Sequence, residues 1–147
     1  MTNRITTSQS ALTLGAFLFA MANGACSKSP TSPTPAASTA PTLSAIQTQI
    51  FDPGCASCHT DVGRTPSGGT NLKAGASFAA LVNVPSNAKA GAIRVIPGNP
   101  NGSYLIQKLE GDGGIVGTRM PRTGPPFLTD AQVKMIRDWI AAGAPNS

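Results

Sequence analysis

Residues Cys55-Ala56-Ser57-Cys58-His59 set two thiols three positions apart against the only histidine of the chain. Three chemistries use such a set: a zinc centre, a redox dithiol, or an attachment site for c-type haem. A closed zinc site needs four ligands, usually as two close pairs. Cys55, Cys58 and His59 give three, and the remaining cysteine, Cys26, lies far upstream behind a Pro-rich stretch. A thioredoxin-like dithiol expects the strand-helix junction of a βαβ pattern, which the flanks do not offer. Haem attachment accounts for every residue of the motif. On a helical turn, positions i and i+3 share a face, so both thiols reach the vinyl groups of one porphyrin edge. His59, one residue on, is then held beneath the ring with a nitrogen toward the iron. The motif therefore calls for one covalently bound haem c.

With His59 committed, no second imidazole is left for the other face of the iron, and beyond residue 25 the only methionines are Met120 and Met135. Met135 falls in "LTDAQVKMIRDWIAAGA" (Leu128–Ala144), where Thr129 and Gln132 form a capping box and Val133, Ile136, Trp139 and Ile140 recur at helical spacing. Gly143 and Pro145 mark its stop. On that helix Met135 is most simply a packing residue or a partly exposed one. Met120 sits instead in "GTRMPRTGPP" (Gly117–Pro126), a loop with no periodicity, where soft thioether ligation of iron explains it better than core packing. A His/Met-ligated haem has no open position for a substrate, which points to electron transfer rather than catalysis. No carboxylate pair, Ser-His-Asp set or phosphate-binding loop competes with that reading. Two alternatives stay open. Without Met120 on the iron, a five-coordinate haem binds or senses a small gas; permanently docked, the domain is an electron-accepting haem subunit of a membrane or periplasmic oxidoreductase complex.

The elements that must position these side chains are short. The 147 residues include 16 Gly and 13 Pro but only seven aromatics, so loops are abundant and the side-chain core is thin, the condition in which a small domain needs a cofactor to be stable. Leu43, Ile46, Ile50 and Phe51 form a one-sided stripe that predicts a short helix just before the thiols. "SFAALVNV" (Ser77–Val84) and "NGSYLIQKLEG" (Asn101–Gly111) each predict two or three helical turns, with Ser77 and Ser103 as candidate caps and Gly111 as a stop. "AIRVIPG" (Ala92–Gly98) reads as an extended loop along the haem.

The first 25 residues have the order of a secretory signal peptide: Arg4 without acidic neighbours, the apolar run Ala11–Met21, then small residues. Cys26 follows "NGA" (Asn23–Ala25), and here the segment resembles a bacterial lipoprotein precursor, in which the cysteine is acylated and becomes the mature N-terminus. Asn23 stands where such boxes usually carry Leu or Val, and "AMA" (Ala20–Ala22) offers a competing A-x-A cleavage site. Residues 26–41, rich in Ser, Thr and Pro, form a disordered tether, and the folded domain spans 42–147. No apolar run approaches the roughly 18 residues of a membrane-spanning helix. Without the leader, ten Lys or Arg oppose six Asp or Glu, a net charge of +4. Arg119 and Arg122 flank Met120 and suit a redox partner with an acidic docking surface. Scattered basic residues and export argue against nucleic acid.

The sequence of motifs, "CASCH", "GGTNL" (Gly68–Leu72), "VIPGNP" (Val95–Pro100), "RMP" (Arg119–Pro121) and a final helix ending "WIAAGA" (Trp139–Ala144), resembles a class I cytochrome c domain over about Thr42–Ala144. It is similar to the monohaem domains of bacterial periplasmic proteins. The resemblance implies a small all-α fold in which N- and C-terminal helices cross and loops wrap one haem. It also implies apolar groups around the ring, for which Leu72, Ile96, Tyr104 and Trp139 are the candidates. The second N–H of His59 calls for a carbonyl acceptor, with Pro66, Gly68 and Gly69 as candidates.

Overall fold

A computed structural model of the chain describes residues 39–60, 68–112 and 114–147. The leader, Cys26, most of the tether and Pro66 lie outside the described residues. The described part belongs to one compact unit, Ala36–Ser147. It contains no strand, only two isolated bridges, Val82 with Val95 and Pro85 with Ile93.

The N-terminal helix begins where Thr42, in extended conformation, accepts a hydrogen bond from the Ala45 N–H through its side chain. Helix α1 (Leu43–Ile46) continues without a break into a π-helical stretch (Gln47–Phe51) and then α2 (Asp52–Gly54). The wider π turn, a form that recurs at functional sites, buries Gln47, Ile50 and Phe51 together. A stripe of apolar residues announces the helix; nothing in it announces a buried glutamine.

Helix α3 (Ser77–Leu81) and helix α4 (Tyr104–Glu110) are shorter than their sequence patterns suggest. Neither expected serine cap forms. Ala76 occupies the cap of α3, and Ser77 is buried with its hydroxyl donating to Gln47 Oε1 at 2.7 Å. Ser103 does stand at the cap of α4, but its Oγ instead donates to Asn99 O at 2.8 Å and accepts from Ile96 N at 2.9 Å. Gly111 ends α4 as expected, in the left-handed region at φ +82°, where a side chain would also meet Arg119 Cδ.

Helix α5 (Asp130–Ala141) carries the expected capping box of Thr129 and Gln132. Its inner face, Val133, Ile136, Trp139 and Ile140, is buried against Ile46 and Ile50 of the N-terminal helix and Ile106 and Leu109 of α4. Contacts between α1 and α5 and between α4 and α5 make α5 the common support. Ser44 N donating to Ser147 O (2.9 Å) fastens the chain's end to α1, and Gly98 N donating to Ile140 O (2.7 Å) fastens the extended segment to α5.

Candidate cofactor site

The thiols stand on the chain that leaves α2. Phe51 O accepts from both Cys55 N (2.9 Å) and Ala56 N (2.8 Å), so the π register carries into the motif. Cys55 O then accepts from Cys58 N (3.1 Å) and His59 N (2.9 Å). That helical turn sets Cys55, Cys58 and His59 on the wall of one cleft. Cys55 is half-buried and its Sγ lies 3.7 Å from Ile50 O, while Cys58 is exposed. Burial, and secondarily the charge of the neighbouring Cys58, push the Cys55 thiol up to about 11; before haem is attached, Cys55 is a neutral thiol at physiological pH.

Beyond His59 the chain is pinned by a buried relay. His59 O accepts from Leu72 N at 2.7 Å, and Leu72 O accepts from Gln47 Nε2 at 2.8 Å. Gln47 also donates to Asp52 Oδ1 at 2.6 Å and accepts from the Ser77 hydroxyl. Its buried amide is thereby satisfied, as an amide in an apolar core must be. Sequence reasoning missed this residue because a single glutamine inside an apolar stripe carries no chemical signature.

Across the cleft stands Met120, half-buried and packed against the core. Its N–H donates to Lys108 O of α4 at 2.8 Å. Lys108 Nζ donates to Val116 O at 3.0 Å and to Thr118 O, and Tyr104 Oη accepts from Val116 N at 2.8 Å. Burial pulls the Lys108 ammonium below its usual range. Met135 lies on α5, partly buried against the core, and does not line the cleft.

Of the four expected apolar wall residues, Leu72 and Tyr104 line the cleft and Ile96 and Trp139 do not. Trp139 is wholly buried in the core, its indole N–H donating to Pro145 O at 2.9 Å. Ile96 is partly exposed, and its N–H donates to Ser103 Oγ. The places are taken by Phe51, Leu81, Leu105 and Ile136. Arg119 also differs from expectation. Its Nε donates to Leu109 O at 2.7 Å and its guanidinium stacks 4.1 Å over the Phe127 ring, so Arg122 is the exposed cation of the pair.

Arg94 lines the cleft as well, and nothing in "AIRVIPG" foretells that it is buried. It is 8% exposed, donating to Ala80 O at 2.7 Å and Gly68 O at 3.0 Å. Desolvation lowers its pKa, though a guanidinium stays charged. Among the described residues it has no carboxylate partner.

Residues 45–143 match the family model for cytochrome c, and the chain belongs to that family. No curated protein and no solved structure matches it. The family binds covalently attached haem c through a CxxCH-type site, the region in which Cys55 and Cys58 lie, and its chemistry is haem-based electron transfer. The cleft fits that cofactor on its own evidence. It measures about 500 Å³ in a domain of some hundred residues, and interiors that small leave few voids larger than a water. Its largely apolar lining, which also brings together Cys55, Cys58, His59, Met120 and the buried guanidinium of Arg94, suits a flat apolar ring that carries a metal and carboxylates.

Proposed function

We propose that this chain is an exported monohaem electron carrier whose iron is ligated by His59 and Met120 and whose haem is held through thioethers to Cys55 and Cys58. The observation that carries this reading is the convergence of those four side chains on one apolar cleft. Arg94 offers a buried charge to a haem carboxylate. The haem supplies reversible one-electron chemistry when bound; the chain orients it, keeps both faces of the iron covered and excludes water from the ring. Cys58, exposed, and Val116, 51% exposed, lie where the cleft meets solvent, the place where a bound haem would exchange electrons with a partner. The protein is a carrier, and any catalysis belongs to a complex that it joins.

Domains of this family are typically exported, and among the described residues no helix is long and apolar enough to cross a membrane. With the leader and tether read from the sequence, this supports placement on the periplasmic side of a bacterial membrane, anchored by acylated Cys26. The net positive charge and exposed Arg122 support a redox partner with an acidic docking surface. Fatty-acid labelling lost in Cys26→Ser tests the anchor, and an unmodified mature N-terminus at Asn23 removes it. Ligation is tested by the near-infrared sulfur-to-iron band of the oxidised protein and by carbon monoxide added to the reduced form. Ready binding of carbon monoxide by wild type replaces the carrier with the gas-binding reading.

A further inference from the structure

The segment that carries Met120 has no helix or strand of its own, yet it is fastened to α4 at five points. Two are backbone carbonyls of the last turn of α4, which have no partner within the helix: Lys108 O takes Met120 N, and Leu109 O takes Arg119 Nε. The other three use side chains at i and i+4 on one face of α4. Tyr104 Oη takes Val116 N, and the Lys108 ammonium spans Val116 O and Thr118 O. Lys108 thus touches the loop through both its ammonium and its carbonyl, and only its ammonium can be removed by substitution.

We propose that Lys108 is a positioning residue for the Met120 thioether: its ammonium closes the loop over the cleft, and without it the loop releases from the cleft while the domain stays folded. The inference rests on Met120 as the sixth ligand. An ammonium with two carbonyl acceptors makes charge-assisted bonds, about twice as strong as neutral ones. The Met120 end of the loop is also held by the carbonyls of Lys108 and Leu109, whereas Val116, Gly117 and Thr118 are exposed and have only Tyr104 Oη beside the ammonium among the bonds to α4. Local opening free energies are lowest where buried apolar contacts are few and hydrogen bonds face solvent, and the Lys108 bonds to Val116 O and Thr118 O face solvent.

The test uses the full-length haem-loaded protein and three substitutions. Lys108→Met keeps the aliphatic stem and removes the donors; Lys108→Arg restores a cation with donors. Lys134→Met removes the same charge from the exposed pair with Asp138 on α5. The near-infrared band is followed with temperature beside far-ultraviolet circular dichroism, and carbon monoxide occupancy of the reduced protein is measured at fixed gas concentration. Lys108→Met is expected to lose the band well below its unfolding midpoint and to raise the carbon monoxide-bound fraction about tenfold, the scale of one charge-assisted hydrogen bond. Lys108→Arg recovers most of both, and Lys134→Met matches wild type. If band and helix signal melt together in Lys108→Met, or if Lys134→Met behaves like it, Lys108 is only a structural or charge contributor and the proposal is overturned. Should Lys108→Met fail to load haem, Tyr104→Phe, which removes only the acceptor for Val116 N, must show the same early loss of the band. A wild type without the band overturns the ligation reading and this proposal together, an outcome distinct from a wild-type band that Lys108→Met leaves unmoved.

Discussion

The two walls of the cleft are built by different means. The His59 wall is a continuation of a helix: backbone bonds from Phe51 O and Cys55 O define it, and the buried Gln47 amide locks the chain beyond it. The Met120 wall is a loop whose hold depends on Lys108, Tyr104 and Arg119 side chains, partly in contact with water. Backbone bonds within a helical run break only when that run unwinds. Side-chain bonds at a half-exposed position compete with water and have a smaller net worth. The molecule thus pairs a wall held by helical backbone bonds with one held largely by side chains of a neighbouring helix, and it is Met120, the sixth ligand proposed above, that stands on the second.

The largest effect tests the first wall. A Cys55→Ser, Cys58→Ser double variant is expected to carry no covalent haem on denaturing gels stained for haem peroxidase activity. Because the side-chain core is thin, most of its helical circular dichroism should vanish too. A well-folded haem-free chain would show that the core shared by α1, α4 and α5 stands without the ring.

Next comes the second wall. Met120→Ala should abolish the near-infrared band, lower the reduction potential and admit carbon monoxide, while leaving haem covalently attached. Met135→Leu conserves volume on α5 and should leave all three properties unchanged, at a stability cost below about 1.5 kcal/mol. A spectrum altered only by the Met135 change would move the ligand to α5 and erase the contrast between the walls.

The contrast was only half legible in the sequence. "CASCH", the capping box of Thr129 and Gln132, the Gly111 stop and the loop setting of Met120 are local, because each depends on spacing within a few residues. Which apolar residues face the cleft is not local. Trp139 and Ile136 share one helical stripe, and three residues' difference, about a sixth of a turn, separates the packed indole from the cleft floor. Arg94 sits in an apolar stretch and Gln47 in an apolar stripe, so each reads as an interruption; only the carbonyls of Ala80, Gly68 and Leu72, brought from elsewhere in the chain, make their burial affordable. Ser77 has the composition of a cap and became the partner of Gln47 instead.

Gln47→Leu is therefore a test of the hidden half. It keeps approximate size but leaves Ser77 Oγ and Leu72 O without their buried partner, a loss of about 2–3 kcal/mol. Denaturant unfolding should show that loss as a lower midpoint with an unchanged slope. The near-infrared band should persist up to the transition, since the relay serves the His59 wall and not the Met120 loop. A band lost early in this variant would mean that the two walls are coupled through the haem.

The smallest effect probes the support common to both. Thr129 accepts from Gln132 N through Oγ1, and Gln132 Oε1 accepts from Thr129 N at 2.9 Å, at the start of α5 nine residues after Met120. Thr129→Ala removes one half of that box and should cost about 1 kcal/mol, a fall of about 4–8 °C in Tm for a domain of this size. Thr129→Ser keeps the hydroxyl and should recover most of it. Because α5 supplies Ile136 to the cleft floor and Ile140 and Trp139 to the core, the loss falls on the folded domain as a whole. Global unfolding then moves down toward the opening of the Met120 loop, and the interval between the two melting curves narrows without the loop itself becoming weaker. Carbon monoxide occupancy at 25 °C should stay at its wild-type value. If it rises instead, the loop is anchored from its far side, through the start of α5, and the grip of α4 on Met120 is not what keeps the thioether in place.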